Sequence, residues 1–216
     1  MQNQQTPDNQ GITDCGYRRD EKIPTQPVPF RCSQNTCSSC APVNALQVAG
    51  ALAMADPRRA VRVSGLPDCW EEVRRRINRL IQRIRRSGYA FEWAFHREVN
   101  PNNNGSHVHG WQCGDYIPQP LLQDSCDAVG LGLPDIRRFD AKGAPITYGM
   151  KMVLPPANTP PEQAAADLRT YLDLNGNRLV HATRGFWRDE QGRVTTLRAA
   201  MQLVAQRHQR RRPPNA

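Results

Sequence analysis

The segment CWEEVRRRINRLIQRIRRSG at 69–88 narrows the fold more than any other stretch of the chain. Trp70, Val73, Ile77, Leu80, Ile81 and Ile84 recur at helical spacing and form one apolar stripe, and Gly88 supplies a stop. A helix with such a stripe must lie on a core. Its other face is crowded with Arg74, Arg75, Arg76, Arg79, Arg83, Arg85 and Arg86. Two readings stay open for that face. It is the solvated side of a core helix, or, because so many like charges repel one another in the free protein, it is a track for a polyanion.

The residues after the helix change period. YAFEWAFHREV at 89–99 alternates and is aromatic, which predicts a strand, and PNNNGS at 101–106 reads as a hairpin loop leading into HVHGWQ at 107–112. Side chains at i and i+2 of a strand leave the same face, so His107 and His109 can offer two imidazoles to one ion while Val108 packs inward. Antiparallel pairing across the hairpin sets His96 and Glu98 beside them. Two imidazoles and a carboxylate suit a divalent ion used for Lewis-acid chemistry on phosphate. Glu98 is preferred to His96 as third ligand because it lies nearer the turn and brings negative charge to a hard cation. The alternative is a cross-strand polar cluster without metal.

Upstream, ALQVAGALAMA at 45–55 reads as helix and AVRVSG at 60–65 as a strand. Downstream, LLQDSCDAVGLG reads as helix, and DAKGAPITYGMKMVLPP carries a short apolar element stopped by Pro155 and Pro156. Within it, Tyr148 and Lys151 share a face if the element is helical, which would bring a phenol and an ammonium to one phosphate. A tyrosine packing beside a snorkelling lysine is the plainer reading of that pair.

Four of the seven cysteines lie near the start: Cys15, Cys32, Cys37 and Cys40. A Cys-x-x-Cys pair with two further thiolates nearby suits one structural zinc, and the alternative is unlinked thiols. Cys69, Cys113 and Cys126 are scattered singly and read as packing thiols.

The 216 residues allow one sizeable domain with a small accessory module, and the apolar fraction of 38% implies that part of the chain stays outside the core. The Gln/Asn-rich start and the tail HQRRRPPNA have little to bury and are expected to be disordered. The expected divisions are a disordered 1–14, a cysteine-rich knuckle at 15–45, a core at 46–156, a basic and aromatic helical extension at 157–207, and a disordered tail at 208–216. Lys and Arg number 29 against 20 Asp and Glu, a formal charge of +9 that is nearly all arginine. Arginine's planar, permanently charged fork favours phosphate, which points to nucleic acid or an anionic membrane surface as partner, the alternative being a solvated basic surface with no partner. The longest nearly apolar run, at 45–55, is too short to span a bilayer, so no membrane association is expected and the chain is read as soluble and cytoplasmic.

In order, a strand, a basic helix, a strand ending in a carboxylate, a strand carrying His-Val-His, a helix and then Tyr-x-x-Lys resemble the HUH endonucleases. The likeness is specifically to the single-tyrosine rolling-circle replication initiators of small plasmids and single-stranded DNA viruses or phages. It spans about residues 58 to 155. The resemblance implies an α+β fold with a central antiparallel sheet carrying the histidines and helices on its faces. It implies magnesium or manganese held by His107, His109 and Glu98. It further implies that Tyr148 attacks single-stranded origin DNA, with Lys151 orienting the phosphate. The cysteine-rich start is similar to what some initiator-like proteins carry. The family's first motif is matched only loosely by AVRVSG, so no function is carried onto it. Tyr171, in LRTYLDLNG, is a second tyrosine of the kind that relatives with paired nucleophiles use, and its spacing with Leu168 and Leu172 reads as core.

Towards the C-terminus, RGFWR interleaves Arg184 and Arg188 with Phe186 and Trp187, a pattern suited to stacking unpaired bases beside phosphate contacts. Arg75, Arg79, Arg83, Arg184, Trp187 and Arg188 are therefore candidate DNA contacts, while Leu197, Met201 and Val204 would pack a terminal helix on the domain. The function expected is a nickase and strand transferase that initiates replication. No Gly-rich phosphate loop ending in Gly-Lys-Ser/Thr is present, so unwinding would fall to a host helicase or to supercoiling, and a host polymerase would extend the 3′ end. The rivals are a non-catalytic zinc-containing DNA-binding regulator and a nuclease that uses activated water.

Overall fold

A computed structural model of the chain describes residues 17–18, 28–29, 35–36, 40–99, 105–138, 146, 153–154 and 158–211. The period-3.6 and period-2 segments become the expected elements. Helix α1 spans Cys40–Met54, α2 Trp70–Arg86, α3 Gln119–Ala128, α4 Pro161–Leu174 and α5 Leu197–Arg211. The strands are β1 (Tyr17–Arg18), β2 (Val28–Pro29), β3 (Arg59–Val63), β4 (Phe91–Val99), β5 (Ser106–Gly114), β6 (Pro134–Arg138) and β7 (His181–Ala182). Among the described residues β1 and β2 form a two-stranded antiparallel sheet, and the other five strands form one antiparallel sheet in the order β6-β3-β5-β4-β7. The histidine strand β5 is central in that order.

Alternation along β4 and β5 divides the interior in two. Phe91, Trp93 and Phe95 of β4 and Val108 of β5 join Val61 and Val63 of β3 under α2 and α3, where Val73, Ile77, Leu80, Ile81 and Ile84 of the predicted stripe are buried. Ala94 and Trp111 face the other way and pack with α1, α4 and the buried Phe186, Trp187 and Ala200. α5 lies against α1, where a Cβ added to Gly50 would come within 2.6 Å of the Val204 side chain.

The elements run across several of the expected divisions. α1 runs through the division placed at 45/46, with Cys40 buried as its first residue. The 157–207 segment packs on the domain: α4 and Phe186 share a core with α1, and β7 completes the sheet beside β4. α5 continues to Arg211, past the expected start of the tail at 208. Cys69 is exposed at the α2 N-terminus and its thiol donates to Glu71 at 3.0 Å, so it is not a packing thiol, whereas Cys126 is buried. No helix among the described residues is long and apolar enough to cross a membrane.

Candidate metal centre

The register of the β4–β5 hairpin builds the site. His96 pairs with His109 and Glu98 with His107, so all four side chains leave the sheet on the face of Ala94 and Trp111. His107 Nε2 lies 3.7 Å, and His109 Nε2 3.3 Å, from the same carboxylate oxygen, Glu98 Oε2. His96 Nε2 contacts the other oxygen, Oε1, at 3.2 Å. One ligand atom from each of Glu98, His107 and His109 can be chosen so that all lie within 4.8 Å of one another. Two donors bound at about 2.1 Å to one ion stand roughly 3 to 3.5 Å apart. The three groups thus fit a divalent cation by spacing and by donor chemistry.

His96 plays a different part. Fully buried between Trp111 and Tyr171, with ring centroids 5.2 and 5.4 Å away, it orients the Glu98 carboxylate from behind. Glu98, the residue preferred as third ligand, is the one grouped with His107 and His109. Access is graded: the Glu98 side chain has no exposure, His107 8% and His109 24%, so the cluster opens on the His109 side. Burial holds the His109 pKa down to about 4, with Glu98 opposing and the neighbouring His96, His107 and Arg62 adding to the depression. His109 therefore presents a neutral imidazole at neutral pH, the form that ligates metal.

Two features of the surrounding structure hold the hairpin in place. Gly110 lies under the Trp93 indole, where a Cβ would come 2.7 Å from Nε1, so the residue after His109 has no room for a side chain. β7 pairs with β4 only at Ala94 and Phe95. Beyond that point the Asn175 side chain replaces a strand: its Oδ1 accepts the Arg97 N–H at 2.7 Å, and its Nδ2 donates to the Arg97 carbonyl at 2.9 Å. That buried amide satisfies the β4 backbone between His96 and Glu98.

Other predicted site residues separate. Tyr148, Lys151, Cys15, Cys32 and Cys37 lie outside the described residues. Tyr171 belongs to the core, where its buried hydroxyl donates to the Leu179 carbonyl and burial, with Glu98 nearby, raises its pKa well above the ordinary value. It is placed as a support for His96 and not as a nucleophile. Phe186 and Trp187 are 0% and 6% exposed, which corrects the expectation of base stacking: the core takes their faces. Arg184 is exposed and Arg188 half-buried. Arg75 is committed to an ion pair with Glu72.

Sequence reasoning missed Arg62. It is exposed on β3 and pairs in register with His109, on the face and side where the cluster opens. Only the β3–β5 pairing carries that information, and no local pattern encodes it. No protein family, curated protein or solved structure significantly matches the chain.

Proposed function

We propose that the protein is a metal-dependent enzyme acting on phosphodiesters of single-stranded DNA, as the resemblance to single-tyrosine replication initiators implies. The observation that carries this reading is the convergence of Glu98, His107 and His109 on adjacent strands, with one side open. These residues would hold magnesium or manganese, which when bound supplies Lewis-acid polarisation of a phosphate oxygen. His96 keeps the carboxylate turned towards the two imidazoles, and Arg62 stands at the mouth to receive a phosphate charge.

Tyr148 would be the nucleophile. Its phenolic oxygen attacks phosphorus, the bond to the 3′ oxygen breaks, and a 5′-phosphotyrosine forms while the leaving oxygen takes up a proton as a 3′-hydroxyl. Lys151 would help orient that phosphate. The ester linkage is conserved, so the same step in reverse rejoins strands.

Incubation with labelled single-stranded DNA and manganese, followed by a denaturing gel, tests the reading. Nicking with a covalent adduct that disappears in Tyr148→Phe is the expected result. Nicking without an adduct would mean attack by water, and no nicking in any divalent metal would return the protein to the class of DNA-binding regulators.

A further inference from the structure

The seven arginines of α2 do not form one uniform surface. Arg75 and Arg76 both reach Glu72, and Arg76 also donates to the Gly130 carbonyl. Arg85 pairs with Glu92 at 3.0 Å, donates to the Phe91 carbonyl at 2.9 Å and lies over the Phe91 ring. Arg79, Arg83 and Arg86 have no carboxylate partner among the described residues. These three line one groove of about 370 Å³, closed on its other side by Ala128 and Val129 at the end of α3.

Positions 79, 83 and 86 share one helix face, and the rise along the axis separates them by roughly 6 and 4.5 Å. The negative end of the helix dipole accounts for cations in the last turn, at Arg83 and Arg86, but Arg79 stands a turn earlier. Three guanidiniums with no carboxylate partner among the described residues, carried on positions that span about 11 Å of helix, repel one another, and an anion with repeated charges would relieve that repulsion.

We infer that this groove binds the phosphodiester backbone of a nucleic-acid segment separate from any segment that reaches Glu98, His107 and His109. The two sites lie on opposite faces of the sheet, since α2 and α3 cover the Phe91–Trp93–Phe95 face and the cluster leaves the other. Arginine forks fit phosphate oxygens in pairs, and the chain's net charge of +9 draws in a polyanion. A protein partner fits less well. Protein interfaces centre on buried apolar or aromatic anchors, and none of the exposed large hydrophobics among the described residues, Leu46, Tyr116, Leu133 and Val194, lines the groove. The inference holds whether or not the metal centre cleaves DNA.

The test is fluorescence anisotropy of the full chain with a labelled mixed-sequence DNA duplex, in EDTA, over a range of salt concentrations. Replacing Arg79, Arg83 and Arg86 together by Gln should lower the slope of log K against log salt by about 2.7 and weaken binding at 0.1 M salt about 500-fold, as three lost phosphate contacts require. Ala128→Glu, which removes nothing and places a carboxylate in the groove, should weaken binding in the same direction and provides the reading if the triple variant fails to fold. Wild-type affinity and slope in a folded triple variant, or in Ala128→Glu, would overturn the inference. So would polyglutamate of equal charge competing as well as DNA, because the occupant would then be an acidic protein.

Discussion

Replacing Glu98 by Gln should separate metal binding from folding. The carboxylate is fully buried, with three imidazole nitrogens at 3.2, 3.3 and 3.7 Å, and the His109 ring is neutral above pH 4 to 5. Gln keeps the shape and removes a buried charge, so the metal-free variant should melt no lower than wild type. The metal response should differ sharply. Manganese at 100 times its dissociation constant stabilises a folded protein by about 2.7 kcal/mol. For a chain of this size that raises Tm by roughly 5 to 11 °C. Glu98→Gln should abolish the rise. His96→Phe keeps a ring between Trp111 and Tyr171 but loses the contact with Oε1, and loss of such a supporting partner costs about 10- to 100-fold in metal affinity. At the same manganese concentration about 0.4 to 1.4 kcal/mol of stabilisation then remains. Scanning fluorimetry with and without manganese, paired with titration calorimetry for the dissociation constants, measures all three proteins. No manganese-dependent shift in the wild type would refute the metal centre. Full binding by Glu98→Gln together with none by His96→Phe would show that the ligand and its support have been exchanged.

Arg62→Gln should bind manganese more tightly, because a positive charge beside His109 is gone, and should bind a single-stranded oligonucleotide more weakly in the manganese-loaded protein; calorimetry showing neither change would remove Arg62 from the site. Asn175→Ala strands the Arg97 N–H and carbonyl in the interior and should lower unfolding stability by about 3 kcal/mol in urea titrations, with a value below 1 kcal/mol ruling out the strand-replacing role. His181, buried against Trp70 and Phe95, has its pKa lowered to about 4 from 6.5, chiefly by burial. The unfolded chain therefore binds the extra proton first, and stability should fall as pH drops from about 6.5 to about 4, by at most about 3 kcal/mol. In His181→Gln that share of the slope should vanish, and an unchanged pH profile would count against the assignment.

The elements were legible because their signals are local. The α2 stripe and the β4 alternation repeat within single segments, and the loop-separated pair of strands allows one simple antiparallel partner, so the meeting of Glu98 with His107 and His109 could be read from their order. Tertiary structure decided what depends on distant approaches. Arg62 reaches the open side of the cluster because β3 inserts beside β5, and Asn175 reaches β4 from the far end of α4. Trp187 reads like a base-stacking residue in RGFWR but is needed to fill the core beneath α1, since an aromatic ring gains more from burial than a linear motif can reveal. The same holds for the arginines of α2. Their spacing is written in the sequence, yet which of them remain to bind an anion is settled by where Glu72, Glu92 and the Gly130 carbonyl come to lie.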